Sequence, residues 1–256
     1  MQENVERQQG EDLIIGRNAV SEALRSGRAV ERILVQKGER KGAVVAILHK
    51  AKEKGIPIKE ADVRKMDFLC GGAPHQGILA VAAAVEYKTV DDIFSLAQER
   101  GEAPFLIVAD EVEDPHNLGA ILRTAECAGA HGVIIPKRRA AGLTYAVGKA
   151  SAGAYQYVPV ARVTNIPSLL DELKERGVWV FGTDRDGEPW CKSDLTGPIA
   201  LVVGSEGRGM GRLVREKCDV ILSLPMKGSI TSLNASVAAG IVMYEAARQR
   251  AGLSAK

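Results

Sequence analysis

No two of the four cysteines, Cys70, Cys127, Cys191 and Cys218, stand close enough in the chain to form a C-x-x-C pair. That absence argues against a zinc site and against a disulfide framework, and it suits a reducing cytoplasm. No apolar run approaches the ~18 residues a membrane span needs. No signal peptide is expected either, because the opening MQENVERQQGED is polar and unpatterned, and residues 1–12 read as a flexible tail. Internal repeats and low-complexity segments are missing. There is no G-K-[ST] for a P-loop. The glycine-rich turn IALVVGSEGRGMG spaces Gly204, Gly207, Gly209 and Gly211 as G-x-x-G-x-G-x-G, whereas a dinucleotide site needs G-x-G-x-x-G. His49, His75, His116 and His131 are scattered, with no spacing that suggests a catalytic triad. Aromatic residues make up only 4%, and the net charge of +2 by itself says nothing about nucleic acid.

What is present is an ordinary globular composition, 46% hydrophobic and 26% charged, long enough to bury one large core or two smaller ones. Short β-rich runs alternate with amphipathic helical ones, which predicts an α/β fold. RNAVSEALRSG reads as a helix capped by Asn18 and stopped at Gly27. ERILVQ, a helix over 42–54, IPIKE, a helix in ADVRKMDFLCGG and the strand GILAVAAAV complete a compact unit over 13–86. Residues 87–103 read as a linker with a helix start at Thr89 and Asp92. A second domain over 104–256 then runs FLIVAD, NLGAILRTAECAG, GVIIP, a short helix near 143–150, YQYVPV, IPSLLDELKERG, VWVFGTD, IALVVG, a short helix after Gly209, DVILSLP and a long terminal helix.

Three stretches share one layout, a hydrophobic strand running out into a loop of Gly, Asn, Ser or acid, where open α/β sheets bind ligands. In FLIVADEVEDPHNLGAILRTAECAGA, Asn117 opens a helix with a core stripe of Leu118, Ile121, Leu122 and Ala125. Arg123 and Glu126 lie off that stripe, spaced to pair as a surface salt bridge. In IALVVGSEGRGMG, Glu206 would repel a pyrophosphate, so an uncharged or cationic ligand suits the loop better. In LPMKGSITSLNASVAAGIVMYEAARQR, small polar residues precede a helix whose Leu233, Val237, Gly240, Ile241, Tyr244 and Ala247 recur at helical steps. Those polar residues read equally as helix caps. Between Arg123 and Arg162 six basic residues face one acid, Glu126, a local surplus of +5. That is either a solvated loop or a phosphate-binding face.

Taken in series, DPHNLGAILRTAECAGA, ALVVGSEGRGM and LPMKGSITSLNASVAAGIVMYE resemble the three ordered motifs of the SpoU/TrmH family of RNA ribose 2'-O-methyltransferases, of the SPOUT class. The resemblance covers residues from about 104 to 250. Upstream, IIGRNAVSEAL and HQGILAVAA resemble the small RNA-binding domain of that family, similar in fold to a ribosomal protein. The two-domain pattern is most similar to the branch acting on guanosine in 23S rRNA, with tRNA-modifying enzymes sharing the same motifs.

The resemblance implies a parallel sheet with a carboxyl-terminal deep trefoil knot, an exception among folds, and S-adenosyl-L-methionine bound in the knot loops. It implies cofactor contacts from Thr183, Gly204, Glu206, Gly207, Leu224, Met226, Leu233 and Asn234. It implies catalytic roles for Arg123, Asn117, Glu206, Asn234 and Ser232, and a homodimer through the last helix, where Ala235, Ala238, Ala239, Val242 and Ala246 add a second apolar side. No metal is implied. Lys137, Arg138, Arg139 and Lys149 would track RNA phosphates. Because the first domain holds few aromatics, RNA shape is expected to count for more than broad base stacking. Two rival readings are a non-catalytic RNA-binding assembly factor and a dinucleotide oxidoreductase.

Overall fold

A computed structural model describes residues 13–38, 42–83, 86–205 and 207–254 of the chain. It divides into two units, Met1–Glu86 with Gly142–Lys149 and Tyr87–Ala141 with Ala150–Lys256.

The first unit is built on a four-stranded sheet ordered β1-β4-β2-β3, from β1 (Leu13–Ile15), β2 (Val30–Gln36), β3 (Ile58–Ala61) and β4 (Ile78–Ala82). Alternation along β2 sends Ile33 and Val35 to one face and Leu34 to the other. The helices α1 (Arg17–Ser26) and α2 (Ala43–Glu53) cover the first face with Val20, Leu24, Ile47 and Leu48. The short α3 (Val63–Leu69) covers the second with Met66. Asn18, expected as the cap of α1, lies inside the helix; the N-cap position is Gly16, and the cap is supplied from a distant loop. Gly27 ends the helix in the left-handed conformation, as its position in the sequence predicts.

The second unit carries a six-stranded, all-parallel sheet ordered β10-β8-β9-β5-β6-β7. Its strands are β5 (Phe105–Ala109), β6 (Gly132–Pro136), β7 (Val160–Val163), β8 (Trp179–Pro189), β9 (Ile199–Val203) and β10 (Val220–Ser223). The helices are α4 (Val90–Arg100), α5 (Pro115–Cys127), α7 (Ile166–Glu175), α8 (Arg212–Lys217) and α9 (Ala235–Arg250). The remaining helix, α6 (Tyr145–Ala150), falls almost wholly in the first unit. β5, β6 and β9 are buried along their whole length, as near-continuous apolar runs in a covered parallel sheet must be.

Three expectations need correction here. Residues 87–103, read as a linker, belong to the second unit: Thr89 and Asp92 form a capping box, and Ile93 is fully buried in the core beside Leu106 and Ile134. YQYVPV is not one strand. Gly153, at φ +88, starts a 3-10 turn over Ala154–Gln156, and pairing begins only at Val160, after Pro159. The apolar stripe of the terminal helix is also reversed. Ala235, Ala239, Val242, Met243 and Ala246 are buried, whereas Val237, Ile241 and Tyr244 are 49%, 37% and 54% exposed. The helix is apolar on two sides, and its small residues win the inner side because they let α9 approach α5 and β9 closely. At that contact a Cβ on Gly240 would stand 3.7 Å from the Thr124 methyl.

After β10, at one edge of the sheet, the chain returns to the middle. There Asn234 at the start of α9 meets α5. At its end the Arg250 guanidinium donates to the carbonyls of Ala103 (2.8 Å), Pro104 and Gly197 and lies over the Phe105 ring. The last helix is therefore tied at its start to α5 and at its end to the segments that lead into β5 and β9.

Candidate active site

Loops leaving the carboxyl ends of β8, β9 and β10 converge on a cleft of about 530 Å³, within the usual size of a small-molecule site. Thr183, Gly204, Gly207, Leu224, Met226, Ser232 and Leu233, taken from separate parts of the sequence, all line it. Glu206 lies outside the described residues.

Gly204 is where the cleft wall folds on itself. Ser205 and Gly209 exchange backbone hydrogen bonds of 3.0 and 2.8 Å, which brings residues 209 and 210 back over residue 204. A Cβ on Gly204 would stand 2.2 Å from the Gly209 carbonyl carbon and 2.3 Å from the Met210 nitrogen, both backbone atoms. Only glycine fits.

The wall from β8 was only partly legible. The strand does not stop at Asp184. Gly182 pairs with Ile221, but the partner of Leu222 is Glu188, so residues 183–187 loop out of register. The loop is held from several sides. Arg215 of α8 donates from Nε to Asp184 Oδ2 (2.8 Å) and from its terminal nitrogen to the Asp186 carbonyl (3.0 Å), and Ser223 Oγ donates to the Gly187 carbonyl (2.9 Å). Burial opposes the Asp184 charge, yet the bonds from Arg215 and the Arg185 N–H, with both guanidinium charges, hold its carboxyl below the ordinary value. Asp184, Arg185 and Arg208 line the cleft and were missed by sequence reading. A strand ending in Thr-Asp-Arg-Asp-Gly is the signal that could have found the first two.

The small polar residues before α9 act as both caps and wall. Asn234 Oδ1 accepts from the backbone N–H of Ser236 (2.9 Å) and Val237, while its Nδ2 donates to Asn117 Oδ1 (2.9 Å). Asn117 is buried in the first turns of α5, whose N-cap is Asp114, so it does not open the helix as expected. Neither asparagine lines the cleft; together they lock the segment that does. Asn234→Ala removes a cap worth about 1 kcal/mol and leaves the Asn117 acceptor without its donor, at about 1–3 kcal/mol more. A chemical melt should show that loss, with activity falling at the same time; an unchanged midpoint would contradict the lock.

Arg123 is exposed on α5 and does not line the cleft, and among the described residues it makes no ion pair with Glu126. The salt bridge expected from spacing is not formed. The predicted phosphate-tracking residues are not all free and do not share one unit. Arg139 is paired with Glu111 at 2.9 Å, and both have left-handed backbone, at φ +56 and +55. Lys137 and Arg138 belong to the second unit and Lys149 to the first.

Asp110, at the end of β5, is buried and accepts the Gly211 N–H at 2.9 Å. Burial pushes its carboxyl up, the Gly211 bond pulls it partly back, Glu111 pushes it further and Arg139 pulls again; the net direction is upward. A carboxyl raised in the folded state destabilises the fold once it ionises, so its penalty is absent below the unfolded value and complete above the folded one. Asp110→Asn, which keeps an acceptor for Gly211, should raise the melting temperature at pH 7. The difference should vanish on acidification below the ordinary carboxylate range. A variant equally or less stable at pH 7 would contradict the burial argument.

Comparison with known proteins bears on this site. A model of the SpoU rRNA Methylase family matches residues 104–244, and a model described as RNA 2'-O ribose methyltransferase substrate binding matches residues 13–88. The chain is 51% identical over 243 residues to YacO of Bacillus subtilis, named within the TrmH family of tRNA/rRNA methyltransferases. That alignment covers 94% of this chain and 97% of the relative. Among solved structures, it is similar to the SpoU methyltransferase AviRb from Streptomyces viridochromogenes in complex with AdoMet. The TM-score is 0.61 and the identity 28%, over 95% of this chain and 92% of that one. A structure concerned with 2-OH methylation of C/U34 on tRNA matches with TM-score 0.53 and 28% identity. It covers 59% of this chain and 98% of that one.

Proposed function

Since the chain belongs to the SpoU rRNA methylase family, we propose that this RNA 2'-O-ribose methyltransferase modifies a guanosine ribose of 23S rRNA, in the manner of an RlmB-type enzyme. It is an S-adenosylmethionine-dependent enzyme. The cleft fits that cofactor: Leu222, Leu224 and Leu233 offer an apolar wall, Thr183 and Thr231 offer hydroxyls, and the cradle at Gly204 would be filled by any side chain. The observation that carries the reading is the convergence of the second and third motifs on this one cleft, with the first motif tied to its wall through the Asn117–Asn234 bond.

When bound there, S-adenosylmethionine would supply the methyl group for transfer to a ribose 2'-hydroxyl, its S–CH3 bond breaking to leave a neutral thioether. The chain's own residues position and stabilise. Arg123 brings a planar guanidinium, so it serves as an anion holder, gripping the phosphate beside the target ribose and stabilising the developing alkoxide while the proton leaves to water. The Asn117–Asn234 bridge holds the wall segment in place, and Ser232 offers a hydroxyl at the cleft wall. Positioning of this kind supplies much of the acceleration in a displacement with no covalent intermediate.

The choice of rRNA over tRNA is supported by the description of the matched family as an rRNA methylase. The structure concerned with methylation on tRNA aligns with 59% of this chain. The return of residues 224–234 from the sheet edge to α5 supports the trefoil knot. The exposed Val237, Ile241 and Tyr244 support a homodimer through α9. The compartment this reading implies is the cytoplasm.

The test is incubation with labelled S-adenosylmethionine and, separately, unmodified 23S rRNA and unmodified tRNA, with primer extension to map the label. Label at one guanosine ribose of 23S rRNA is expected. Label in tRNA alone would overturn the substrate and keep the chemistry.

A further inference from the structure

The two segments that carried the resemblance upstream, IIGRNAVSEAL and HQGILAVAA, are brought together by the fold into a rigid surface feature that the cleft does not use. Gly16, at φ +90, precedes α1 and carries no side chain to cap it. The cap comes from Gln76, whose Oε1 accepts the Arg17 backbone N–H at 3.1 Å. In return the Arg17 Nε donates to the Gln76 carbonyl at 3.1 Å. Gln76 itself has φ +52, a left-handed conformation that a non-glycine residue adopts at a cost. It is held there by its neighbours. The buried His75 accepts the Gly77 N–H on Nδ1 at 3.0 Å, which leaves Nε2–H to donate to Asp67 of α3 at 3.1 Å.

The result is a preorganised exposed face. Because its Nε is anchored, Arg17 presents its terminal nitrogens as a fork to solvent. Through Asp67 the same network fixes the exposed side of α3, where Arg64 and Phe68 stand one turn apart, Lys65 stands three residues before Phe68, and Phe68 is 55% exposed. Among the described residues none of Arg17, Arg64 and Lys65 is held in an ion pair. An anchored guanidinium, and an exposed aromatic ring with basic neighbours on α3, match the chemistry of single-stranded nucleic acid, whose phosphates take a guanidinium fork and whose unpaired bases stack on rings.

We propose that this face grips an unpaired segment of the RNA substrate, with Arg17 on a phosphate and Phe68 stacked on one splayed base. The inference rests on RNA being the substrate, and it places the grip in the first unit, on residues the chemistry does not touch. Shape recognition is retained, with one base read by stacking.

Filter binding of unmodified 23S rRNA transcript across a salt series tests it, on wild type and on the Arg17→Ala, Arg17→Lys, Phe68→Ala and Phe68→Trp variants. S-adenosylmethionine affinity and melting temperature are measured on each. Phe68→Ala should weaken RNA binding about 10- to 100-fold and Phe68→Trp should restore it. Arg17→Ala should flatten the logarithmic salt dependence by about one phosphate contact, with Arg17→Lys intermediate in affinity because it keeps charge and loses the fork. Cofactor affinity should stay unchanged throughout. Wild-type binding that Phe68→Ala and Arg17→Ala leave intact would overturn the proposal alone. Failure of the wild-type protein to bind either 23S rRNA or tRNA transcript would overturn the RNA reading with it.

Discussion

Gly204→Ala is expected to lose S-adenosylmethionine binding by at least about 100-fold, the scale on which a ~1 Å misplacement disables a site. The added Cβ would have to displace the backbone of Gly209 and Met210, and backbone held by the Ser205–Gly209 bonds has no rotamer in which to move aside. Overpacking of this kind costs about 1–3 kcal/mol of stability, so a fall in melting temperature should accompany the loss. Calorimetric titration with the cofactor reads the first effect and a thermal scan the second. Gly197→Ala is the control, because a Cβ there meets nothing within 4 Å and the residue does not line the cleft. Equal cofactor affinity in the two variants would show that the cleft does not depend on the close approach at Gly204.

Arg123→Ala should reduce the methyl-transfer rate roughly 10²–10³-fold, as loss of an electrostatic stabiliser does. Cofactor affinity should hold, because Arg123 does not line the cleft. Arg123→Lys should recover only part of the rate, since a point charge replaces a planar fork. Single-turnover kinetics with saturating RNA separates this from weaker RNA binding. Near-normal turnover in Arg123→Ala would remove the residue from the mechanism.

How much of this was legible depends on whether the information is local. Strand and helix identity followed from period and punctuation, because side-chain alternation, helical repeat and the left-handed turn at Gly27 are properties of neighbouring residues. The close approach at Gly204 was also legible in outline, since four glycines after a buried strand announce backbone that must pass near something. The caps were less so: Asn18 reads as the cap of α1, yet the cap is Gln76, 60 positions from Gly16, and no local pattern contains that pairing. The excursion of residues 183–187 was hidden for the same reason, because Asp184 is held by Arg215 of another element and the strand register shifts opposite β10.

The terminal helix marks the boundary most clearly. Its sequence determined that two sides would be apolar and that Asn234 would stand at its start. Which side faced inward was decided by the partner, since the alanine side alone lets α9 approach α5, and it leaves Val237, Ile241 and Tyr244 outside. Residue type and spacing therefore determined the elements, and the resemblance of three motifs pointed to the family and to several residues that line the cleft. Tertiary structure decided which of two equivalent faces was buried, which distant side chains closed each helix, and which charges were left free, because each of these is a relation between segments far apart in the chain.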